Sequence, residues 1–193
     1  MNSMMPFVIL YEGPTDLRFI DKLVTPRLQK SWRVRRWKFT TLKREQRIQI
    51  VSEAITKGNP VVYICDLDEC QCEPERRDTE CRLLKVAPAK CVAVVKREIE
   101  GWYLAGVPNE IATKLKIAVP EDTTAITKEQ FGHMAQEAGW SVIELMSIIL
   151  DHYDIGLAKV RNPSFGYFWR NWVDPYGPAT NRPDEAKEVS LQQ

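Results

Sequence analysis

The segment VVYICDLDEC, residues 61–70, ends an apolar run in two carboxylates, Asp66 and Asp68. In an extended segment residues i and i+2 point the same way, so both acids are expected to face one site. Close carboxylates in a half-buried place repel and resist ionising together. A divalent cation removes that conflict, and ligands that are all oxygen suit Mg2+ or Mn2+. More acids fall at comparable places. Glu12 ends the run MPFVILYEG, with Asp16 four residues on, and Glu98 and Glu100 follow KCVAVVK. An acid after a strand also serves as a helix cap or sits in a first helical turn, complementing the helix dipole. That simpler role competes at Asp16, Glu98 and Glu100. It competes less at Glu12, Asp66 and Asp68, which end separate apolar runs.

These acids meet only if the elements before them lie side by side. Residues 6–12 read as a buried strand. A helix follows, with Thr15 as its cap, an apolar face of Leu17, Ile20, Leu23 and Val24, and Pro26 as a kink or stop. RVRRWKFTTL reads as a second strand. REQRIQIVSEAITKG reads as an amphipathic helix with Ile48, Val51 and Ile55 on one side and Gly58 beyond its C-terminal end. PVVYICDLD is the third strand, a helix is expected from Pro74 to Leu84, and KCVAVVK is the fourth strand. REIEGWYLAG then opens a helix in which Trp102 and Leu104 pack on the sheet. The alternation implies an α/β fold with a mostly parallel sheet and helices on both faces. Ligands of such sheets bind beyond the carboxyl ends of the strands, where the acids fall. After residue 106 the pattern turns helical, near 109–116, 128–138, 140–151 and 163–173. Residues 1–106 are therefore read as the α/β core, 107–175 as a helical extension packed on it, and 176–193 as a flexible or loosely docked tail.

Composition sets outer bounds. The 193 residues carry 27 basic and 26 acidic side chains, so net charge names no partner. No apolar run reaches membrane-spanning length, which argues against a membrane partner. The start MNSMMPFVILYEG lacks the form of a secretory signal, and the five cysteines, Cys65, Cys70, Cys72, Cys81 and Cys91, are expected to be reduced thiols in a cytoplasmic protein. Their spacing fits no common zinc pattern. His133 and His152 are expected on helix surfaces.

A strand ending in Glu-Gly, then a helix, then a strand ending in Asp-x-Asp resembles the Toprim domain. Its members include topoisomerases, bacterial primases, recombination mediators, ribosomal-RNA maturases and overcoming-lysogenization-defect (OLD) nucleases. VILYEGPTD is similar to the VEGxTD form of the OLD-like and stand-alone small Toprim proteins. VVKREIEGWYLAG resembles their EIEAWLLAD segment, and RNPSFGYFWRNW their SPSFRRFL segment. The four segments span roughly residues 6–172. The resemblance implies a Toprim-like, Rossmann-like sheet followed by a helical C-terminal region. It implies Glu12 as metal ligand or general acid/base, Asp66 and Asp68 as Mg2+ ligands, Asp16 as a helper, and Glu98 and Glu100 as a second site. A cation must stabilise charge on the reacting phosphate; Lys96, Lys159 and Arg161 are the candidates. The chain has no GxxxxGKS/T loop, so the ATPase of OLD nucleases would have to be a separate partner. No tyrosine sits in a topoisomerase context. A receiver-like phospho-acceptor domain wants its acid pair after strand one and a lone Asp after strand three, the reverse of this order.

The expected activity is metal-dependent cleavage of nucleic-acid phosphodiesters, in phage defence or in DNA or RNA processing, with one or two Mg2+ or Mn2+ ions activating water. The alternative is a non-catalytic Toprim module that binds nucleic acid or a partner protein. Either reading admits a homodimer. Arg33, Arg35, Arg36 and Lys38, interleaved with Trp32 and Trp37, suit phosphate contacts and base stacking. An edge strand charged against aggregation explains the same residues equally well. Phe165, Phe168 and Trp169 are spaced to pack in the core.

Overall fold

The computed structural model describes residues 4–86 and 91–178. The apolar runs become strands β1 (Pro6–Tyr11), β3 (Val61–Asp66) and β4 (Val92–Val95), and the basic run becomes β2 (Arg33–Lys38). All pair in parallel, in the order β2-β1-β3-β4. The two strands that precede Glu12 and Asp66 are thus central and adjacent, with Leu10 opposite Tyr63. The remaining elements are α1 (Pro14–Phe19), continuing through a π-helical turn (Ile20–Val24) into α2 (Thr25–Leu28), then α3 (Arg44–Thr56), α4 (Glu73–Leu84) and α5 (Glu100–Ala105). The C-terminal part holds α6 (Asn109–Leu115), α7 (Lys128–Glu137), α8 (Val142–Asp151), α9 (Ile155–Arg161) and α10 (Pro163–Phe168), which runs on as a π-helical turn to Val173.

Alternation along the strands feeds two cores. Phe7, Ile9, Val62, Ile64, Ala93 and Val95 face a large cluster that includes Phe19 of α1, Trp102 of α5, and Leu145, Phe165 and Trp169 from the C-terminal helices. Val8, Leu10, Tyr63, Cys65, Val92 and Val94 face a smaller cluster closed by Val51 and Ala54 of α3 and by Cys81 and Leu84 of α4. Phe165, Phe168 and Trp169 are buried as their spacing predicts. Among the described residues no helix is long and apolar enough to cross a membrane. All five cysteines are free.

Several local expectations change. Gly13, not Thr15, precedes the first helical turn, and its N–H donates to Asp16 Oδ2 at 2.7 Å. Thr15 lies inside the helix. Pro26 does not end the helix; its missing N–H is accommodated after the wider π-turn, where Thr25 N–H donates back to Ile20. On α3 the buried positions are Val51 and Ala54, and Ile55 is exposed. Gly58 does take the left-handed conformation (φ 68°) beyond that helix. Helix α9 was not foreseen, because its exposed Val160 breaks the apolar period. Tyr176, expected to begin the tail, stacks edge-on against Phe7 and Trp32. Residues 179–193 of that tail lie outside the described residues.

A buried polar chain ties the end of β4 to the helices. Ser164 Oγ accepts from Trp102 Nε1 (2.9 Å) and Lys96 N–H (3.2 Å) and donates to Asn162 Oδ1 (2.8 Å). Asn162 Nδ2 donates to Thr123 Oγ1 at 3.1 Å. The Asn-Pro-Ser-Phe stretch, residues 162–165, therefore caps α10 and anchors the loop that carries Glu98 and Glu100. Gly101 permits this closeness: a Cβ there would meet the Thr123 carbonyl oxygen at 2.6 Å. The similar segment EIEAWLLAD has Ala at the corresponding place, which this backbone cannot take without shifting. Gly101→Ala is expected to destabilise the protein by about 1–3 kcal/mol, as overpacking against backbone does. Urea unfolding checks this, and an unchanged midpoint would show that the Thr123 segment yields freely.

Candidate metal centre at the carboxyl edge of the sheet

Strand direction decides which side of the sheet each acid joins. Glu12 continues the Val8–Leu10 side, toward α3 and α4. Its Oε1 accepts from Tyr63 Oη at 2.5 Å. Asp66 continues the Val62–Ile64 side, toward α1 and α5, where Asp16 and Glu100 are buried. The carboxylates thus straddle the edge of the sheet rather than sharing one face. Asp66 and Asp68 are not equivalent. The strand stops at Asp66, and Asp68 takes a left-handed turn conformation (φ 50°), so the i, i+2 alternation does not extend to it. The Asp68 side chain is 53% exposed, whereas Asp66 Oδ1 is buried with no hydrogen-bond partner.

Burial and like charge act together on the inner group. Burial pushes the Asp66 carboxyl up to about 9, and the charges of Asp16, Glu12, Glu100 and Asp68 add to the rise. Burial raises Asp16 to about 6, opposed by the Gly13 hydrogen bond and helped by the charge of Glu12. Glu100 is also raised, by burial first and then by Glu98 and Asp16. The α1–α5 side thus gathers three buried or half-buried carboxyls with no ion-pair partner among the described residues, and burial holds them toward their protonated forms.

The α4 side is compensated by a residue that the sequence reading missed. Arg76 bridges Asp68 Oδ2 at 2.8 Å, Glu80 Oε1 at 3.2 Å and Glu12 Oε1 at 3.7 Å. The Arg76 side chain is only 14% exposed. Its Glu80 partner is buried, and burial raises that carboxyl while Arg76 opposes the rise. The signal lay in the i, i+4 pair Arg76–Glu80 on a helix that follows Asp68. The adjacent Arg77 masks it, since sequence cannot tell which arginine turns inward. Arg77 instead lies 4.9 Å over the Tyr167 ring.

The other expected residues separate. Glu98 is held by the backbone N–H of Lys128 and by its ammonium at 3.6 Å, so it joins the start of α7. Lys159 pairs with Asp174 at 2.8 Å. Arg161 donates to the Val107 carbonyl and to Asn109 Oδ1, each at 2.7 Å, which clamps α9 to the start of α6. Neither cation contacts the acids. Lys96 is exposed just beyond β4, and its backbone N–H is the part that is anchored. The basic strand β2 is an exposed edge. By register with β1, Arg33, Arg35 and Trp37 share the α3 side, while Arg36 and Lys38 share the other. Arg36 is paired with Asp21. Trp37 is exposed, but Trp32 is committed to Phe7 and Tyr176 and donates its Nε1–H to the Tyr176 carbonyl at 3.0 Å. Trp32 is therefore not a free stacking surface. His133 and His152 are exposed, as expected.

Among the described residues no three His, Cys, Asp or Glu side chains converge into a ready-made metal site. The donor chemistry nevertheless fits a hard cation. The orphaned Asp66 Oδ1 and its acidic neighbours are oxygen donors whose crowding a divalent ion would relieve. No family model matches the chain, and no significant match was found among curated proteins or solved structures.

The raised Asp66 makes stability depend on pH. Unfolded, an aspartate ionises near pH 4; folded, Asp66 keeps its proton to about 9. The native state binds more protons in that window, so Asp66 makes stability fall as pH rises through it. In metal-free protein Asp66→Asn is expected to flatten this decline and raise the urea midpoint at neutral and alkaline pH. A variant with the wild-type pH profile would show that Asp66 ionises without penalty.

Proposed function

We propose that the chain is a Toprim-type, Mg2+- or Mn2+-dependent nuclease that acts on nucleic-acid phosphodiesters. The observation that carries this reading is Asp66, a carboxylate at the end of a central strand with a buried, unpartnered oxygen and with Asp16, Glu12 and Glu100 as its charged neighbours. Adjacency of β1 and β3 brings the ends of the Glu-Gly and Asp-x-Asp strands side by side, which supports this reading. Asp66, Asp16 and Glu12 would hold the cation, with Asp68 joining from its exposed turn. The cation would supply Lewis-acid activation of water and neutralise charge on the phosphodiester. If Glu12 served instead as the general acid/base, it would hold the proton beside Tyr63, whose hydroxyl donates to its Oε1. The exposed side of β2, with Arg33, Arg35 and Trp37, offers cationic and stacking contacts to the strand being cut. A role in phage defence or in DNA or RNA processing, in the cytoplasm and beside a separate ATPase, accords with this reading.

Arg76 favours a second reading. A guanidinium already bridging Glu12, Asp68 and Glu80 neutralises the outer acids without metal, as a non-catalytic Toprim module that binds nucleic acid or protein would need. Cleavage decides between them. With Mn2+, wild type is expected to nick supercoiled DNA or degrade single-stranded RNA, and Glu12→Gln or Asp66→Asn to slow this by roughly a hundredfold or more. Tight nucleic-acid binding with no cleavage by wild type would establish the module instead.

A further inference from the structure

The nuclease reading requires a cation for the reacting phosphate. Each of the three basic residues expected from sequence stands away from the acids or is committed elsewhere. Lys159 is bound to Asp174 and Arg161 clamps α9 to α6, while the exposed Lys96 makes no ion pair with the strand-end acids and has Asp122 as a charged neighbour. Arg76 is the guanidinium that touches both Glu12 and Asp68. It is held from behind by Glu80, one helical turn along α4, at 3.2 Å. Its contact with Asp68 is on the outer, solvent-facing side of the cluster, since Asp68 is 53% exposed while Glu80 is 6% exposed.

That arrangement has two distinct anchors. The Glu80 anchor is buried, lies on the same helix and involves no proposed metal ligand. The Asp68 and Glu12 contacts involve carboxylates that a divalent ion would also claim. If Glu12 held the cation and Asp68 joined it, these two carboxylates would have less negative charge left to hold the guanidinium. Arg76 would then lose its outer partners but keep Glu80. With Nη1 kept on Glu80, the Nη2 group released from Asp68 and Glu12 would be free to donate to a phosphate oxygen.

We propose that Arg76 is the phosphate-binding residue of this site, masked by Asp68 and Glu12 until a divalent cation takes those carboxylates. The proposal rests on the metal-dependent reading above. It makes cation binding and phosphodiester binding mutually reinforcing through one side chain: metal frees Arg76, and a phosphate that holds Arg76 leaves the carboxylates to the metal. Coupling of this kind is reciprocal by thermodynamic necessity.

The test measures that coupling. Mn2+ binding to the full chain is followed by calorimetry, and binding of a fluorescent single-stranded oligothymidine by anisotropy, with and without saturating Mn2+. Oligothymidine serves as a phosphodiester probe of minimal base specificity, and a version with a non-cleavable backbone keeps cleavage from confusing the result. Wild type is expected to bind it about tenfold more tightly with Mn2+, within the usual range of coupling between sites. In Arg76→Gln the enhancement should fall below about twofold, while Mn2+ itself binds more tightly because its competitor is gone. Arg76→Lys, which keeps the charge but not the fork, should retain part of the enhancement and guards against a folding defect in the glutamine variant. Glu80→Gln loosens the rear anchor and should weaken oligonucleotide binding in Mn2+ without lowering Mn2+ affinity. If wild type, Arg76→Gln and Arg76→Lys all show the same enhancement, Arg76 is a structural ion pair and the proposal fails while the metal site stands. If wild type binds no Mn2+, both the metal reading and the proposal fail.

Discussion

Parallel pairing of β1 with β3 forces the ends of two buried strands together, and each end leads into carboxylates. Most of what surrounds that edge can be understood as a response to the resulting charge. Tyr63 reaches out of the smaller core to donate to Glu12, Gly13 N–H turns back to Asp16, and Arg76 enters from α4 to bridge Glu12, Asp68 and Glu80. Tyr63 and Arg76 share Glu12, Arg76 also serves Asp68 and Glu80, and Gly13 serves Asp16. Asp66 Oδ1 receives none of them, although it lies at the end of a central strand. A protein that needed only stability would replace Asp66 with an amide or an apolar side chain, because a buried unpaired carboxyl lowers stability whenever it ionises.

The positions of the strands were legible because buried parallel strands are written as continuous apolar runs, and β1, β3 and β4 are such runs. The acids at their ends were legible for the same reason, as breaks in that pattern. What failed was the step from spacing to direction. Period-two alternation holds only while the chain is extended, and Asp68 has already entered a left-handed turn. It also assigns Glu12 and Asp66 to opposite sides of the sheet, which a list of strand-terminal acids conceals. Among the basic residues, sequence offered no means of separating Arg76 from Arg77, or of seeing that Lys159 and Arg161 are used up in joining helices.

The aromatic residues show the same limit. Trp32 and Trp37 look alike in the basic strand region, yet Trp32 is fixed by Tyr176 and Phe7 whereas Trp37 is open. Their fates differ because Trp32, just before the strand, meets the C-terminal segment at Tyr176, whereas Trp37 lies on the side beside α3. In RNPSFGYFWRNW the spacing of Phe165, Phe168 and Trp169 was legible, but the buried Asn162 and Ser164 that organise the end of β4 were not.

The two sides of the sheet are finished by different parts of the chain. The smaller core needs nothing beyond β4, since α3 and α4 close it. The larger core covers Phe7 and Ile9 with Phe165 and Trp169, and Trp32 finds its hydrogen-bond partner 144 positions later, at Tyr176. Strand β1 therefore has one face closed by residues no later than β4, and another whose cover begins with Phe19 and Val24 but is completed only by Phe165 and Trp169. A chain ended before α10 would thus leave that face of β1 only part-covered, with apolar surface turned to solvent.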